Sequence, residues 1–267
     1  MRAAIWGCRG SLSTPGERTV RYGGNTSCVE VRTSSGRLVV LDAGTGIRPL
    51  GGTLNGGPER IDLVLTHLHL DHVEGLGFFA PLFDSGRTIT IWGPRQTHSS
   101  LEARIASYLS PPFFPLRFET LPARIEVVEC GEGTWQIDEL TITAARVAHP
   151  GDTFAYRLSE NGRALTFIPD NELGLDPESG LELAEGADLL FHDAQFTQEE
   201  YRARVGWGHS GVEDLGAFLR RAKPRRAVLF HHDPWHSDTD VDAIHEAVET
   251  LAEQALDVGA EGAVYDV

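Results

Sequence analysis

Short apolar runs of strand length recur along the whole chain, at Arg2 to Trp6, Cys28 to Arg32, Leu38 to Leu41, Ile61 to Leu65, Thr88 to Trp92 and Ile125 to Glu129. The second half continues the series at Leu140 to Ala148, Phe154 to Leu158, Ala164 to Ile168, Asp188 to Phe191 and Ala227 to Phe230. Helical periodicity is sparser. It is clearest over Val212 to Ala222, and over Val241 to Leu256 with apolar positions at Val241, Ile244, Val248, Leu251 and Ala255. Ser237 stands where it would cap that second helix. Asp238, Asp240 and Asp242 fall in or near its first turn, where carboxylates favour the positive end of the helix dipole, so this acidic cluster reads as capping rather than catalysis. Many short strands with interspersed helices predict an α/β fold of two packed sheets covered by helices. The segment His98 to Pro122 interrupts the pattern with a predicted helix followed by Ser110-Pro111-Pro112-Phe113-Phe114-Pro115. It reads either as an active-site lid or as a surface excursion. No repeat or low-complexity linker divides the chain, so residues 1–267 are read as a single domain.

Composition narrows the function classes. With 267 residues, 41% hydrophobic and 23% charged, the chain can bury a substantial core. Met1 to Gly10 lack the apolar stretch of a signal peptide, and no run is long enough to span a bilayer. Cys8, Cys28 and Cys130 are odd in number and far apart, which supports neither a disulfide framework nor a zinc knuckle. A reducing, cytoplasmic location is expected, with no membrane partner. A formal net charge of -16 argues against nucleic acid as a partner, because such binders owe their affinity to clustered Lys and Arg. Only a local positive centre could hold phosphate here, and metal ions provide one.

The densest chemistry lies in Thr66-His67-Leu68-His69-Leu70-Asp71-His72, where three imidazoles and a carboxylate follow directly on an apolar run. A helix cap would account for Asp71 and leave three histidines unexplained. The cluster reads as ligands for two metal ions. Further candidates share its placement after a strand-like run: His149, Asp170 and His231. A sheet protein gathers a site in this way, along one edge of its sheets.

These residues, in this order and over essentially the full length, make the chain resemble a metallo-β-lactamase-fold hydrolase. Within that superfamily it is similar to the branch of ribonuclease Z and the phosphoribosyl cyclic phosphodiesterases. Gly7-Cys8-Arg9-Gly10-Ser11, Tyr22-Gly23-Gly24-Asn25-Thr26-Ser27, Leu41-Asp42-Ala43-Gly44-Thr45-Gly46 and the stretch Gly206 to Ser210 all fit the branch. The resemblance implies a four-layer αββα sandwich of two mixed sheets. It also implies that His67, His69 and His149 bind one divalent ion, that Asp71, His72 and His231 bind the other, and that Asp170 bridges them. Zinc is the first expectation for both ions, with manganese or iron as alternatives. The adjacent His231 and His232 leave the last ligand ambiguous by one position; His231 is chosen as the first residue past the apolar run, and His232 is then a substrate-side group, a group behind the ligands, or a plain loop residue. Asp42 is expected to orient a ligand imidazole through its far nitrogen, or else to serve the turn before Gly44.

The resembled phosphodiesterases carry, at the position of His209, a histidine that contacts phosphate and protonates the leaving group. Asp193 resembles its acidic partner. Otherwise His209 opens a helix capped by Ser210, and His192 is a buried strand-end residue. Asp71, Asp170, His209 and Asp193 are thus the catalytic candidates. The expected reaction is hydrolysis of a small, cyclic phosphodiester, with hydroxide generated at the metal pair as nucleophile. Two features depart from the branch. The ribonucleases usually read His-Ser-Thr where this chain has His209-Ser210-Gly211, and the segment His98 to Pro122 offers only Arg104 and Arg117 against Glu102 and Glu119 in place of a basic arm. A tRNA 3′-processing endoribonuclease is therefore the runner-up. Lactone or ester hydrolysis, or a non-catalytic carrier on the same fold, are further alternatives, and the reading also admits a homodimer.

Overall fold

The computed structural model describes all residues 1–267. Fourteen strands form two seven-stranded sheets. The first contains β1 (Arg2–Gly7), β2 (Cys28–Arg32), β3 (Leu38–Leu41), β4 (Arg60–Val64), β5 (Thr88–Pro94) and β6 (Arg124–Cys130), with β14 (Val264–Asp266) at its edge, in the order β14-β1-β2-β3-β4-β5-β6. The second contains β7 (Gly133–Ile137), β8 (Leu140–Arg146), β9 (Phe154–Glu160), β10 (Arg163–Ile168), β11 (Leu189–Asp193), β12 (Ala227–Phe230) and β13 (Asp257–Val258), in the order β13-β12-β11-β10-β9-β8-β7. Seven helices accompany them: α1 (Ile47–Thr53), α2 (Leu70–Val73), α3 (Leu101–Tyr108), α4 (Leu181–Ala184), α5 (Gln198–Ala203), α6 (Val212–Ala222) and α7 (Asp238–Ala252).

The central strands β3, β11 and β12 are buried on both faces, which is why they read as near-continuous apolar runs rather than as alternating ones. In β3 the period of two is still visible. Val39 and Leu41 point into the core between the sheets, while Leu38 and Val40 point outward to a second core under α1 and α3. The inter-sheet core holds Ile5, Val31 and Val64 from one sheet against Tyr156, Phe167, Phe191 and Phe230 from the other. A third core lies under α4, α6 and α7. The layers are therefore helix, sheet, sheet, helix, the αββα sandwich expected.

Each strand-like run of the sequence is a strand. β7, β13 and β14 were not expected: β7 is half exposed and Gly-led, and the other two have only two and three residues. α1 was also missed, because Pro49, Gly51 and Gly52 make it a poor helix former by propensity. α7 starts earlier than its apolar period. Ser237 caps it in a reciprocal capping box with Asp240, and it ends at Glu253 in a left-handed conformation. In the interrupting segment, Leu101, Ile105, Leu109, Phe118 and Leu121 pack into the outer core, whereas Phe113 and Leu116 project into solvent. No helix is long and apolar enough to cross a membrane.

The topology decides where the site must be. β3 and β4 run parallel with Leu41 beside Val64, and β10, β11 and β12 run parallel with Ile168 beside His192 and Asp193 beside Phe230. Their carboxyl ends therefore lie along one rim of the sandwich, where loops rather than ladder bonds determine side-chain direction. Asp42, the His67 to His72 segment, Asp170, Asp193 and His231 all leave these ends.

Candidate metal centre

The rim brings the predicted ligands together in two sets. One ligand atom each from His67, His69, His149 and Asp170 lie within 4.8 Å of one another, as do those of Asp71, His72 and His231. Asp170 faces both sets with different oxygens. Its Oδ2 lies 3.6 Å from His67 Nε2 and 3.5 Å from His149 Nε2, and its Oδ1 lies 3.3 Å from His72 Nε2 and 3.2 Å from His231 Nε2. Asp71 Oδ2 is 3.2 Å from His72 Nε2 and 3.0 Å from His231 Nε2. Bonds of about 2.0–2.1 Å to a common tetrahedral ion would set ligand atoms roughly 3.4 Å apart, so these separations suit shared cations.

The far nitrogens explain how the imidazoles are aimed. His72 Nδ1 donates to Asp42 Oδ2 at 2.7 Å, His149 Nδ1 to the Gly208 carbonyl at 2.8 Å and His231 Nδ1 to Gln195 Oε1 at 2.8 Å. His67 Nδ1 contacts Thr66 Oγ1 at 3.1 Å. A proton held on Nδ1 leaves Nε2 with a lone pair toward the site. His69 is turned the other way, with Nδ1 at 3.1 Å from His149 Nε2. Two buried atoms, His67 Nε2 and Asp170 Oδ1, have no hydrogen-bond partner, and an orphaned acceptor here is costly unless a cation meets it. The donor set of imidazole and carboxylate, without thiolate, fits zinc, iron or manganese.

Electrostatics point the same way. Burial would raise the Asp170 carboxyl, but the surrounding imidazoles, His231 foremost, pull it well below its ordinary value. Asp71 is likewise buried yet lowered, mainly by His72. Burial holds His67 well down and His149 down to about 4, so both are neutral ligands at physiological pH. His72 behaves oppositely: against its burial, Asp170, Asp71 and Asp42 raise it well above the usual histidine range. Without a cation the carboxylates recruit a proton onto His72. Divalent ions would compete for that place, so their uptake should release protons. Adding zinc to chelator-treated protein at about a hundred times its dissociation constant is expected to raise Tm by roughly 5 °C or more. An unchanged melting curve would contradict the ligand reading.

Backbone geometry resolves the neighbouring histidines. His231 sits at φ 59°, a left-handed conformation that turns its ring into the cluster. His232 instead directs Nε2 to the Gly259 carbonyl at 3.0 Å, fully buried and outside the cluster. Asp42, at φ 60°, is completely buried. Besides His72 it binds the backbone N–H of Thr66 at 2.8 Å and the hydroxyl of Ser27 at 3.0 Å. Asp42→Asn should weaken metal binding by about 10–100-fold with little change of fold, measured by competition with a chromophoric chelator. His192 lies behind the site against Phe218, as its burial at a strand end predicts.

Two glycines are required by close approach. A Cβ on Gly10 would stand 2.2 Å from His231 Nδ1, and one on Gly208, at φ 93°, would stand 2.2 Å from His149 Nδ1. His149 is three residues beyond the end of β8 rather than directly on it. Its loop is held by the Gly208 carbonyl.

His209 stands between the two sets. Its ring centroid is 5.2 Å from that of His149 and 4.9 Å from that of His231, on which it stacks. Nδ1 donates to Asp193 Oδ2 at 2.9 Å, which leaves Nε2 for the site. Burial lowers this imidazole, yet the charge and hydrogen bond of Asp193 prevail, with Asp170 and Asp71 adding to them, and raise it to about 9.

Several supporting residues escaped the sequence reading. Ser11 donates its backbone N–H to Asp71 Oδ2 at 2.7 Å, Gln195 orients His231, and buried Glu172 accepts from the N–H groups of Gly206 and Gly208 at 2.6 and 2.7 Å. Glu172 thereby shapes the loop that carries His209. Its only sequence signal was proximity to Asp170.

Comparison with known proteins agrees with this fold. The family model described as a beta-lactamase superfamily domain matches residues 37–232. The chain belongs to the beta-lactamase superfamily. An uncharacterised protein of Mycobacterium tuberculosis is 27% identical over 259 residues, covering 90% of this chain and 84% of the other. Ribonuclease Z of Bacillus cereus is 24% identical over 248 residues, covering 73% and 78%. Among solved structures, the metallo-beta-lactamase fold protein YhfI of Bacillus subtilis superposes with a TM-score of 0.75 at 17% identity, over 99% of this chain and 98% of the other. Membership, with ribonuclease Z among the relatives, supports a hydrolase, and the His/Asp clusters suit divalent metals.

Proposed function

We propose that the protein is a dinuclear metal-dependent phosphodiesterase acting on a small phosphodiester, a cyclic nucleotide or a sugar cyclic phosphate. One observation carries the reading: the two oxygens of Asp170 address separate imidazole sets while His209 stands against both. His67, His69, His149 and Asp170 Oδ2 would hold one ion, and Asp71, His72, His231 and Asp170 Oδ1 the other. Bound there, a pair of divalent ions supplies positive charge for the phosphate and a water of lowered pKa. The chain's own residues do the rest. His209 holds a proton on Nε2 for the leaving oxygen, which departs poorly as an alkoxide, and Asp193 fixes the ring's tautomer and keeps it protonated. A phosphodiester is favoured over a lactone because it already carries negative charge in the ground state, which a positive metal pair and a protonated His209 would neutralise, whereas a lactone is neutral.

The size of the substrate follows from charge. A net charge of -16 gives a long RNA little to bind beyond the centre itself. The free, buried cysteines accord with a reducing compartment, and we place the protein in the cytoplasm. Metal-loaded protein should hydrolyse bis-p-nitrophenyl phosphate and at least one cyclic phosphodiester, and should bind precursor tRNA weakly. Steeply salt-dependent tRNA binding with 3′ cleavage would transfer the reading to the endoribonuclease. Lactone hydrolysis without phosphodiesterase activity would overturn it, and a fully metallated protein inert on all of these would be a carrier.

A further inference from the structure

A groove of about 700 Å³ opens beside the ligand segment, lined among others by Leu68, Leu70, Gln96, Arg104, Tyr108 and Phe113. Leu68 and Leu70 flank His69 in the chain, so one wall of the groove is the segment that carries this candidate ligand. Its far wall is α3, anchored on the outer core by Leu101 and Ile105, which makes the wall preformed rather than adaptable. Three flat groups face the groove. The Tyr108 ring is fixed by its hydroxyl, which donates to the Glu74 carbonyl at 2.8 Å, while the Phe113 ring is 78% exposed and unspent on the core. The Arg104 guanidinium is exposed, on a chain whose acidic groups outnumber its basic ones 39 to 23. Gln96 donates Nε2 to the Pro94 carbonyl at 2.9 Å, which leaves Oε1 to accept from an N–H edge.

Resting on the phosphodiesterase reading, we propose that this groove receives the planar heteroaromatic ring of a nucleotide substrate whose phosphate lies at the metal centre. Tyr108, Phe113 and Arg104 provide stacking faces, and Gln96 accepts a hydrogen bond from the ring. Charge complementarity selects the occupant. An anion anchored at the centre directs its uncharged portion along Leu68 and Leu70, and an aliphatic chain would leave both the guanidinium and the Gln96 acceptor unmatched. Of the two substrate classes above, the nucleotide is thereby preferred to the bare sugar phosphate.

Titration calorimetry on metal-loaded protein tests this with adenosine 5′-monophosphate against ribose 5-phosphate. Wild type should bind the nucleotide about tenfold more tightly, from one stacked base. Arg104→Ala and Phe113→Ala remove exposed side chains, so folding is preserved. Each should cost most of that preference and leave sugar phosphate binding and metal content unchanged. Equal affinities in wild type, or variants that weaken both ligands alike, would overturn the assignment. Hydrolysis of bis-p-nitrophenyl phosphate by the same preparations separates the two levels. If it proceeds while the affinities are equal, only the groove assignment falls; if it is absent, the phosphodiesterase reading falls and the substrate role of the groove with it.

Discussion

Asp170→Ala is expected to lower hydrolysis by about 10⁴-fold or more and to empty at least one metal position, the largest effect of any single substitution. No other residue places separate oxygens against both imidazole sets. Its Oδ2 approaches His67 and His149 at 3.6 and 3.5 Å, and its Oδ1 approaches His72 and His231 at 3.3 and 3.2 Å. With two ions bound as proposed, removing it would take one ligand from each and a negative charge from between them. Metal analysis after gel filtration, set beside the turnover of bis-p-nitrophenyl phosphate, distinguishes the outcomes. A variant that retained full metal content and activity would contradict the bridging role.

His209→Ala is expected to lower kcat by about 10²–10⁴-fold while metal content stays near that of wild type. The ring packs between His149 and His231, but its bonded nitrogen is committed to Asp193. Equal loss of metal and activity would show that His209 is a ligand instead. The pH profile provides a sharper test. The imidazole is raised to about 9, so the acid form predominates below that value, and activity depending on it declines as pH rises through it. Divalent ions alongside would bring the limb lower, without changing the direction in which Asp193 acts. Asp193→Asn removes the opposing charge, and the alkaline limb should move down by about 1–3 units. A limb that stays in place would assign it to another group.

Much of this was legible before any coordinates. The central strands were readable because both of their faces are buried, which turns β3 and β12 into unbroken apolar runs. The ligands were readable because imidazoles and carboxylates crowd the ends of those runs. β7 was not, since its exposed edge position demands no apolar pattern, and neither was α1, whose Pro and Gly residues lower its helix propensity while Ile47 and Leu50 bury it in the outer core. Beyond the nearness of Glu172 to Asp170, Gln195, Ser11 and Glu172 carry no local signal of their roles. Their partners lie 36, 60 and 34 or 36 positions away in the chain, and a polar side chain in a loop looks the same whether or not it orients a ligand.

By itself the sequence established most strand positions, two packed sheets covered by helices, and the histidines and aspartates that end the strands, because burial and metal affinity both act through residue type; the four-layer class and the division of ligands between two ions came from the family resemblance. Only the tertiary structure decided which oxygen of Asp170 meets which imidazoles, that His231 rather than His232 enters the cluster, and which flat groups line the groove beside it. Those choices depend on directions in space. A left-handed φ at His231, a parallel register between β11 and β12, and an Nδ1 proton aimed at Gln195 settle them, and none of these leaves a trace in the spacing of residues along the chain.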